Sequence, residues 1–147
     1  GTVINDSERS EMGTVDVDLT EAGRHDRLFS TLPDPFGTQM GHHDRVSILP
    51  EGAVELAKTD VAPYQAFRLR DLPVYGTQFP SELDEHGERG RLITYRSYSP
   101  EMADDAVFQA TLDSLRPSPA ADDLLHRFLL LFAVEGGAER LEEMMEG

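Results

Sequence analysis

Alternating apolar and polar residues mark the first predicted strand of the chain. In residues 14–19, Val15, Val17 and Leu19 fall on one side and the polar residues between them on the other. This period of two is typical of a half-buried β-strand. The pattern stops at residues 20–23, and the proline-rich apolar stretch at residues 28–36 predicts a loop.

Short apolar runs separated by turn residues follow in the middle of the chain. They predict strands at residues 46–49, 54–57, 64–69 and 74–79. Pro50 and Gly52 mark the first turn between them, and Pro80 ends the last run. Because the runs are short and the turns frequent, we expect the strands to pair consecutively and largely antiparallel.

The last third of the chain has the spacing of helices. Apolar side chains recur at helical intervals in residues 104–115. A second helix is predicted at residues 119–135, with Ser118 as its N-cap and Gly136-Gly137 closing it. This helix has more apolar residues than one buried stripe needs, so we expect it to pack on two sides or to contact a partner. Residues 138–147 predict a loosely docked acidic helix.

The composition indicates one acidic domain. The chain has 147 residues, with 13 Lys and Arg against 28 Asp and Glu, a formal charge of −15. Binding to a nucleic-acid backbone or an anionic membrane surface needs a basic face, so neither is expected as a partner. No apolar run approaches the ~20 residues that span a bilayer. No N-terminal leader pattern is visible either, and together these features predict a cytoplasmic location.

The chain contains no cysteine. Disulfides, thiolate metal sites and a cysteine nucleophile are therefore excluded within these residues. Ser81 follows the last predicted strand, but a serine nucleophile needs a base and an oxyanion hole, and no nucleophile elbow surrounds it. Turn chemistry is the better account of this serine.

The densest polar cluster is the sequence His42-His43-Asp44. Histidine and aspartate can exchange protons or ligate a metal ion, but adjacent side chains of an extended chain point to opposite sides. We therefore favour a polar loop that leads into a strand. A metal-dependent hydrolase built on these residues and Glu82 ranks last, because the spacing is poor for a metal. No metal and no other cofactor is expected.

A second polar cluster is the acidic run at residues 82–88, directly after the last predicted strand. Catalytic groups often lie on loops at strand ends. At this net charge, however, a solvated acidic loop is the expected structure, because carboxylates are almost never fully buried unless they are paired.

Several segments together resemble the C-terminal portion of class I glutamine amidotransferases, nearest to the glutaminase part of GMP synthase. Residues 40–46, Met-Gly-His-His-Asp-Arg-Val, resemble the family's Ser-His-x-Asp-x-Val loop. Residues 49–57 resemble the strand pair that follows, and residues 65–67 and 74–79 the next two strands. The similarity covers about residues 1–84 and rests on the order and spacing of these segments together.

The resemblance implies an α/β fold. The family domain has three layers, a mixed sheet and a relationship to flavodoxin-like folds, and this chain would hold its strand-rich second part and C-terminal helices. Residues 1–116 would form the C-terminal part of the amidotransferase-like domain, and residues 117–147 a helical extension. As an alternative, the segment closes its own core as an α+β unit, with the helix at residues 119–135 as a cover.

The family reaction is hydrolysis of the glutamine side-chain amide. A cysteine attacks, a histidine moves protons, a glutamate orients the histidine, and ammonia passes to a synthase. The family motif Gln-Phe-His-Pro-Glu is Gln-Phe-Pro-Ser-Glu at residues 78–82. Glu82 therefore keeps the glutamate position, while Pro80 takes the histidine position and has no titratable group.

The resemblance also assigns a substrate loop. His42 and Gly41 stand in the family's Ser-His loop, where the family holds substrate. His43 or His86 would replace the lost base only if their loops were aimed differently. The chain by itself is therefore expected not to hydrolyse glutamine.

Two functions stay open at this point. The first is an amidotransferase-like domain that is not catalytic as this chain. The second is a ligand-binding or regulatory module on the same scaffold, which holds glutamine or a related amino acid near His42 and Glu82 or docks a synthase. Strand edges that the family's N-terminal half would cover favour association, so we expect a homo-oligomer or a partner chain.

Overall fold

The structure is a computed structural model that describes residues 1–134 and 137–146. Within these residues, seven strands form two sheets. One sheet pairs β1 with β4, and the other has five strands in the order β3-β2-β5-β6-β7. All pairs are antiparallel. The strands are β1 (Thr2–Asn5), β2 (Glu11–Leu19), β3 (Phe36–His42), β4 (Asp44–Ile48), β5 (Ala53–Lys58), β6 (Ala66–Leu69) and β7 (Tyr75–Thr77).

The strand predicted from alternation is confirmed as the C-terminal two thirds of β2. Val17 and Leu19 are buried while Asp16 and Asp18 are exposed. β2 pairs along its length with β3, from Glu11 opposite His42 to Val17 opposite Phe36. The sequence did not predict β3, because its central residues are polar and yet fully buried.

Hydrogen bonds explain why those polar residues are buried in β3. The Gln39 side-chain amide donates to the Arg116 carbonyl and to Ser118 Oγ, both at 3.0 Å, and its oxygen accepts from Thr14 Oγ1 at 2.9 Å. A buried amide whose groups are bonded carries little desolvation cost. Gln39 thus ties the β2–β3 hairpin to the segment that precedes the C-terminal helices.

The strands predicted in the middle of the chain are confirmed as β4 to β7, but their pairing is consecutive only in part. β5, β6 and β7 pair in chain order. β4 pairs with β1 instead of β5, and the polar ends of the two strands hold this ribbon together. Asn5 Nδ2 donates to Asp44 Oδ1 at 2.9 Å, and Arg45 Nε donates to Asp6 Oδ2 at 2.7 Å.

The five-stranded sheet curls, so that its two edges approach each other. The ring of Phe36 on β3 meets the ring of Phe79, just after β7, edge to face at 5.5 Å between centroids. Gln78 Nε2 donates to the Asp44 carbonyl at 2.7 Å. The main core fills the concave side, and much of it comes from the stretch at residues 28–36 that the sequence predicts as a loop: Leu28, Phe29, Leu32 and Phe36 are buried there.

Helices pack on both faces of the sheet. They are α1 (Glu21–Arg24), α2 (Glu85–Tyr95), α3 (Asp105–Ser114), α4 (Pro119–Asp122), α5 (Leu124–Ala133) and α6 (Gly137–Glu146). α4 and α5 contribute Ala121 and Leu124 to the main core. α2 and α3 form a second, smaller core of Leu92, Leu112 and Leu115 with Met12 on the opposite face.

The prediction of a single helix at residues 119–135 is wrong, because the helix is interrupted at Asp123, which separates α4 from α5. Asp123 binds the first turn of α5 through ion pairs with His126 and Arg127. The predicted end at Gly136 lies outside the described residues. On α5, Leu125 is 53% exposed and Leu129 45%, so its apolar excess faces solvent in this chain.

No helix among the described residues is both long enough and apolar enough to cross a membrane.

Candidate functional site

His42 belongs to a buried polar cluster at one end of the sheet. Its Nε2 lies 3.3 Å from Glu11 Oε2, and the two side chains are only 9% and 4% exposed. Gln65 Nε2 also donates to Glu11 Oε2. The cluster therefore joins the end of β3, the start of β2 and the residue before β6.

This cluster has hydrogen-bonding capacity to spare. Glu11 Oε1, His42 Nδ1 and Gln65 Oε1 are buried and accept or donate no hydrogen bond within the described residues. Buried polar atoms usually have a partner, since an unpaired one costs free energy. The cluster thus keeps unbonded polar atoms inside the fold. Glu11 was not predicted as a site residue, because it lies before the alternating residues that predicted β2.

Gly41 and His43 lie on the opposite side of the strand from His42. They line a cavity of about 310 Å³ together with residues of α2 and of the turns after it. His43 Nε2 pairs with Glu101. The expectation that the two adjacent histidines point apart is confirmed. The predicted substrate loop is consequently divided between a buried cluster and a cavity.

Arg91 occupies the space above Gly41. A Cβ added at Gly41 would overlap Nη2 of Arg91, so this approach of the guanidinium depends on glycine. Arg91 Nε lies 2.9 Å from Glu88 Oε2, and Arg91 Nη2 donates to Glu88 Oε1 at 3.2 Å. The cavity wall is therefore built from an ion pair on α2 and a glycine on β3.

Glu88 corrects the expectation of a solvated acidic loop at residues 82–88. It is fully buried on α2, and Asp84 caps that helix by accepting the Gly87 amide at 2.7 Å. Burial raises the pKa of the Glu88 carboxyl, and the hydrogen bond and charge of Arg91 oppose this rise. Residues 85–88 of the run are helical, with Asp84 as their cap and Arg91 as the partner of Glu88, while Glu82 and Asp84 before the helix are exposed.

Pro80 and Glu82 lie in the segment between β7 and α2. Pro80 is half-buried, and Glu82 is exposed, with no hydrogen bond or ion pair to any residue that the structure describes. The nearest link between this segment and the histidine loop is the bond from Gln78 to the Asp44 carbonyl. The structure therefore brings the two predicted loops together but does not join Glu82 to His42.

The metal hypothesis gains no support from the geometry. In residues 1–134 and 137–146, no group of three or more His, Asp or Glu side chains is arranged to hold a metal ion. His42 faces Glu11 and His43 faces Glu101, so the cluster supplies two separate pairs rather than one ligand set.

A third buried carboxylate, that of Asp26, follows α1. Asp26 Oδ1 accepts the amides of Leu28 and Phe29 at 2.9 and 3.1 Å. Its Oδ2 lies 2.8 Å from Arg68 Nε and accepts from the Tyr75 hydroxyl at 3.3 Å. Burial, together with the charge of Asp26, raises the pKa of Tyr75 above its ordinary value. This group holds the residues after α1 against β6 and β7.

Comparison with known proteins places the chain near one group of enzymes by sequence. No family model matches it. It is 35% identical over 83 residues to a glutamine-hydrolysing GMP synthase of Thermosipho africanus, a match that covers 56% of this chain and 15% of that protein. It is 32% identical over 90 residues to one subunit of the glutamine-hydrolysing GMP synthase of Pyrococcus abyssi, covering 60% of this chain and 46% of that protein. The chain thus spans half or less of the length of these relatives.

Solved structures show the same fold. A glutamine amidotransferase from Thermotoga maritima matches 99% of this chain with a TM-score of 0.61 at 18% identity, and the match covers 55% of that chain. A glutamine amidotransferase from Methylobacillus flagellatus matches 99% with a TM-score of 0.53 at 22% identity, and 52% of that chain is covered. The α/β fold class is confirmed, and the chain corresponds to about half of a glutamine amidotransferase fold.

Proposed function

We propose that this chain is a glutamine amidotransferase-like domain of the GMP synthase type that does not hydrolyse glutamine by itself. The observation that carries the proposal is Pro80, which follows β7 at the position where the resemblance expects the proton-transferring histidine. Nucleophilic hydrolysis of an amide needs both a nucleophile and a base. The chain has no cysteine, and proline cannot accept a proton.

The surroundings of Glu82 support the same proposal. A glutamate that orients a histidine must lie within hydrogen-bond reach of it, but Glu82 is exposed and has no such partner among the described residues. Of the two histidines considered as substitutes, His43 is held by Glu101. His86 lies exposed in the first turn of α2.

An assay of glutamine hydrolysis tests this proposal. Release of glutamate and ammonia by the purified chain is expected to equal the buffer blank, with the Thermosipho africanus GMP synthase as positive control. Pro80→His is expected to restore nothing, because the nucleophile is still absent. Turnover by the chain that disappears in Glu82→Ala would overturn the proposal.

The second candidate function is a ligand-binding or regulatory module. The spare hydrogen-bonding capacity around His42 supports it, since an amide or an ammonium group could be bound there. Calorimetric titration with glutamine and with glutamate tests this version, with His42→Ala as the matched variant. No heat and no shift of the melting temperature at millimolar ligand would remove it.

A partner chain belongs to the same proposal. The relatives from Pyrococcus abyssi and Thermococcus kodakarensis are each named as one subunit of a GMP synthase. These names support a partner of the synthase type, and exposed Leu125 and Leu129 on α5 offer an apolar contact. The homo-oligomer and the cytoplasmic location expected from the sequence stay predictions. Light scattering of the chain, alone and mixed with a synthase chain, separates a monomer, a homo-oligomer and a mixed complex.

A further inference from the structure

The cavity beside Gly41 has an unusual charge distribution for this chain. The chain has more than twice as many acidic as basic residues. Yet two arginines and a histidine line the cavity, and no aspartate or glutamate does. Each base is paired with an acidic side chain: Arg91 with Glu88, His43 with Glu101, and Arg96 with Asp105. The basic side chains of the cavity wall are therefore held in place by acidic partners that do not line the cavity.

Arg91 is the best placed of these basic side chains. Its Nε and Nη2 are occupied by Glu88, which is fully buried and holds the guanidinium in one orientation. Its Nη1 donates no hydrogen bond within the described residues. A guanidinium that is fixed along one edge loses little conformational freedom when its free nitrogen binds an anion.

The remainder of the cavity is suited to an apolar body. Met12, Leu92 and Met102 contribute apolar lining, and Tyr95 and Tyr98 stand beside it with ring centroids 6.0 Å apart. These two rings are 57% and 78% exposed, which leaves their surfaces available for contact. Pockets that combine an apolar lining with a few directed polar groups are typical small-molecule sites.

We propose that this cavity binds a small organic anion, with a carboxylate or phosphate group on Arg91 and a flat apolar body against Tyr95 and Tyr98. The site goes beyond the proposed function, since it requires neither glutamine nor the residues at 80–82. Gly41 is a positioning residue in it, because only glycine leaves room for the Arg91 guanidinium.

Nitrogen–proton NMR titration of the whole chain tests the proposal with three probes. Benzoate and phenyl phosphate are expected to shift the amides of Gly41 and Arg91 saturably, with dissociation constants at or below about 1 mM. Benzamide has a similar shape and no charge, and is expected to bind at least tenfold more weakly. The tighter of the two anions identifies the carboxylate or the phosphate class. Equal binding of benzamide, or no binding of either anion, would overturn the proposal.

Two glycines on the same face of β3 provide a matched pair of variants. A Cβ at Gly41 overlaps Arg91, whereas a Cβ at Gly37 lies 3.7 Å from the guanidinium of Arg116, an ordinary contact. Gly41→Ala is expected to weaken anion binding about tenfold or more, and Gly37→Ala to leave it unchanged. An equal effect of the two variants would contradict the role of Arg91.

Arg91→Lys serves as a second variant that keeps the charge. It is expected to fold, as judged by its melting temperature, and to lose several-fold in affinity because lysine lacks the guanidinium fork. Unchanged affinity in Arg91→Lys would assign the anion to another part of the cavity and overturn the proposed geometry. Glutamine hydrolysis is measured separately, so failure of this site leaves the proposed function standing.

Discussion

Two corners of the molecule each contain a glycine, a buried carboxylate and an arginine, but the carboxylates have different numbers of partners. In the α1 corner, defined by Gly23, Asp26 and Arg68, the carboxylate of Asp26 binds two backbone amides, a tyrosine hydroxyl and an arginine. In the α2 corner, defined by Gly41, Glu88 and Arg91, the carboxylate of Glu88 binds Arg91 alone among the described residues. Both carboxylates are buried, and both corners bring a glycine close to a neighbouring group.

The difference separates a carboxylate that stabilises the fold from one that holds an arginine where a ligand could bind. Three hydrogen bonds and the ion pair with Arg68 surround Asp26, so this carboxylate fixes the chain after α1 against the sheet. The single partner of Glu88 is instead turned toward a cavity. A buried carboxylate that binds donors from several segments rigidifies a fold, whereas the α2 corner keeps Nη1 of Arg91 without a hydrogen bond among the described residues.

The largest expected effect is loss of the Asp26 carboxylate. Asp26→Ala leaves two buried amides, Arg68 and Tyr75 without their acceptor, and removal of one member of a buried ion pair costs about 3–5 kcal/mol. Urea unfolding is expected to show a loss of that size in the free energy of unfolding. The control is Asp71→Ala, because Asp71 is the exposed partner of the same Arg68 and is expected to contribute within about 0.5 kcal/mol.

A small loss in Asp26→Ala would break the comparison. If the free energy of unfolding falls by less than about 1 kcal/mol, the bonds of Asp26 do not hold the α1 corner. The distinction from the α2 corner would then fail.

The fold was predictable where a period of two or of helical spacing is visible. β2 and β4 to β7 follow from alternation and turns, and α3 follows from its apolar spacing. β3 could not be found this way, because Thr38 and Gln39 are buried and their contacts come from residues far along the chain. The interruption at Asp123 was equally hidden, since no glycine or proline marks it in the sequence.

The candidate site was predictable only in its outline. The opposite directions of His42 and His43 follow from strand geometry, and the structure confirms them through Glu11 and Glu101. Burial of Glu88 was missed, although the spacing of Glu88 and Arg91, three residues apart on a helix, was an available signal. The contact of Arg91 with Gly41 joins distant segments, and a single sequence carries no local sign of it.

Gly23 and Gly41 extend the comparison of the two corners to a smaller expected effect on stability. A Cβ at Gly23 would overlap the backbone carbonyl of Leu56, whereas at Gly41 it would overlap the end of a flexible arginine. Gly23→Ala is therefore expected to lower the free energy of unfolding by about 1–3 kcal/mol, as overpacking does. Gly41→Ala is expected to cost less than Gly23→Ala, because it displaces the end of a side chain rather than a backbone carbonyl, at the expense of the contact between Arg91 and Glu88.

Urea unfolding of both glycine variants, with Gly37→Ala as the control, measures this difference. Equal losses in Gly23→Ala and Gly41→Ala would mean that Arg91 is held as rigidly as a backbone group. The contrast between the two glycines would then disappear.

The smallest expected effect is a pH dependence of the free energy of unfolding that comes from Glu88 in the α2 corner. Burial raises the pKa of Glu88 above its ordinary value of 4.5, so the folded state binds this proton more tightly than the unfolded state. The stabilisation by the protonated carboxyl is complete below that ordinary value and is lost as the pH rises through the raised pKa. Glu88→Gln cannot ionise and does not suffer this loss. The difference in free energy of unfolding between variant and parent should therefore move in favour of the variant from about pH 4 to about pH 7.

Urea unfolding of both proteins across that range measures the change, with Glu82→Gln as a variant that removes one formal charge from the exposed loop. A difference that moves toward the parent instead would mean that Arg91 outweighs burial and lowers the pKa of Glu88. In that case the ion pair would be a net stabiliser of the fold, and the α2 corner would resemble the α1 corner. A change in the expected direction means that the fold tolerates an unfavourable buried charge at Glu88. That tolerance fits a carboxylate whose role is to hold Arg91 at the cavity rather than to stabilise the domain.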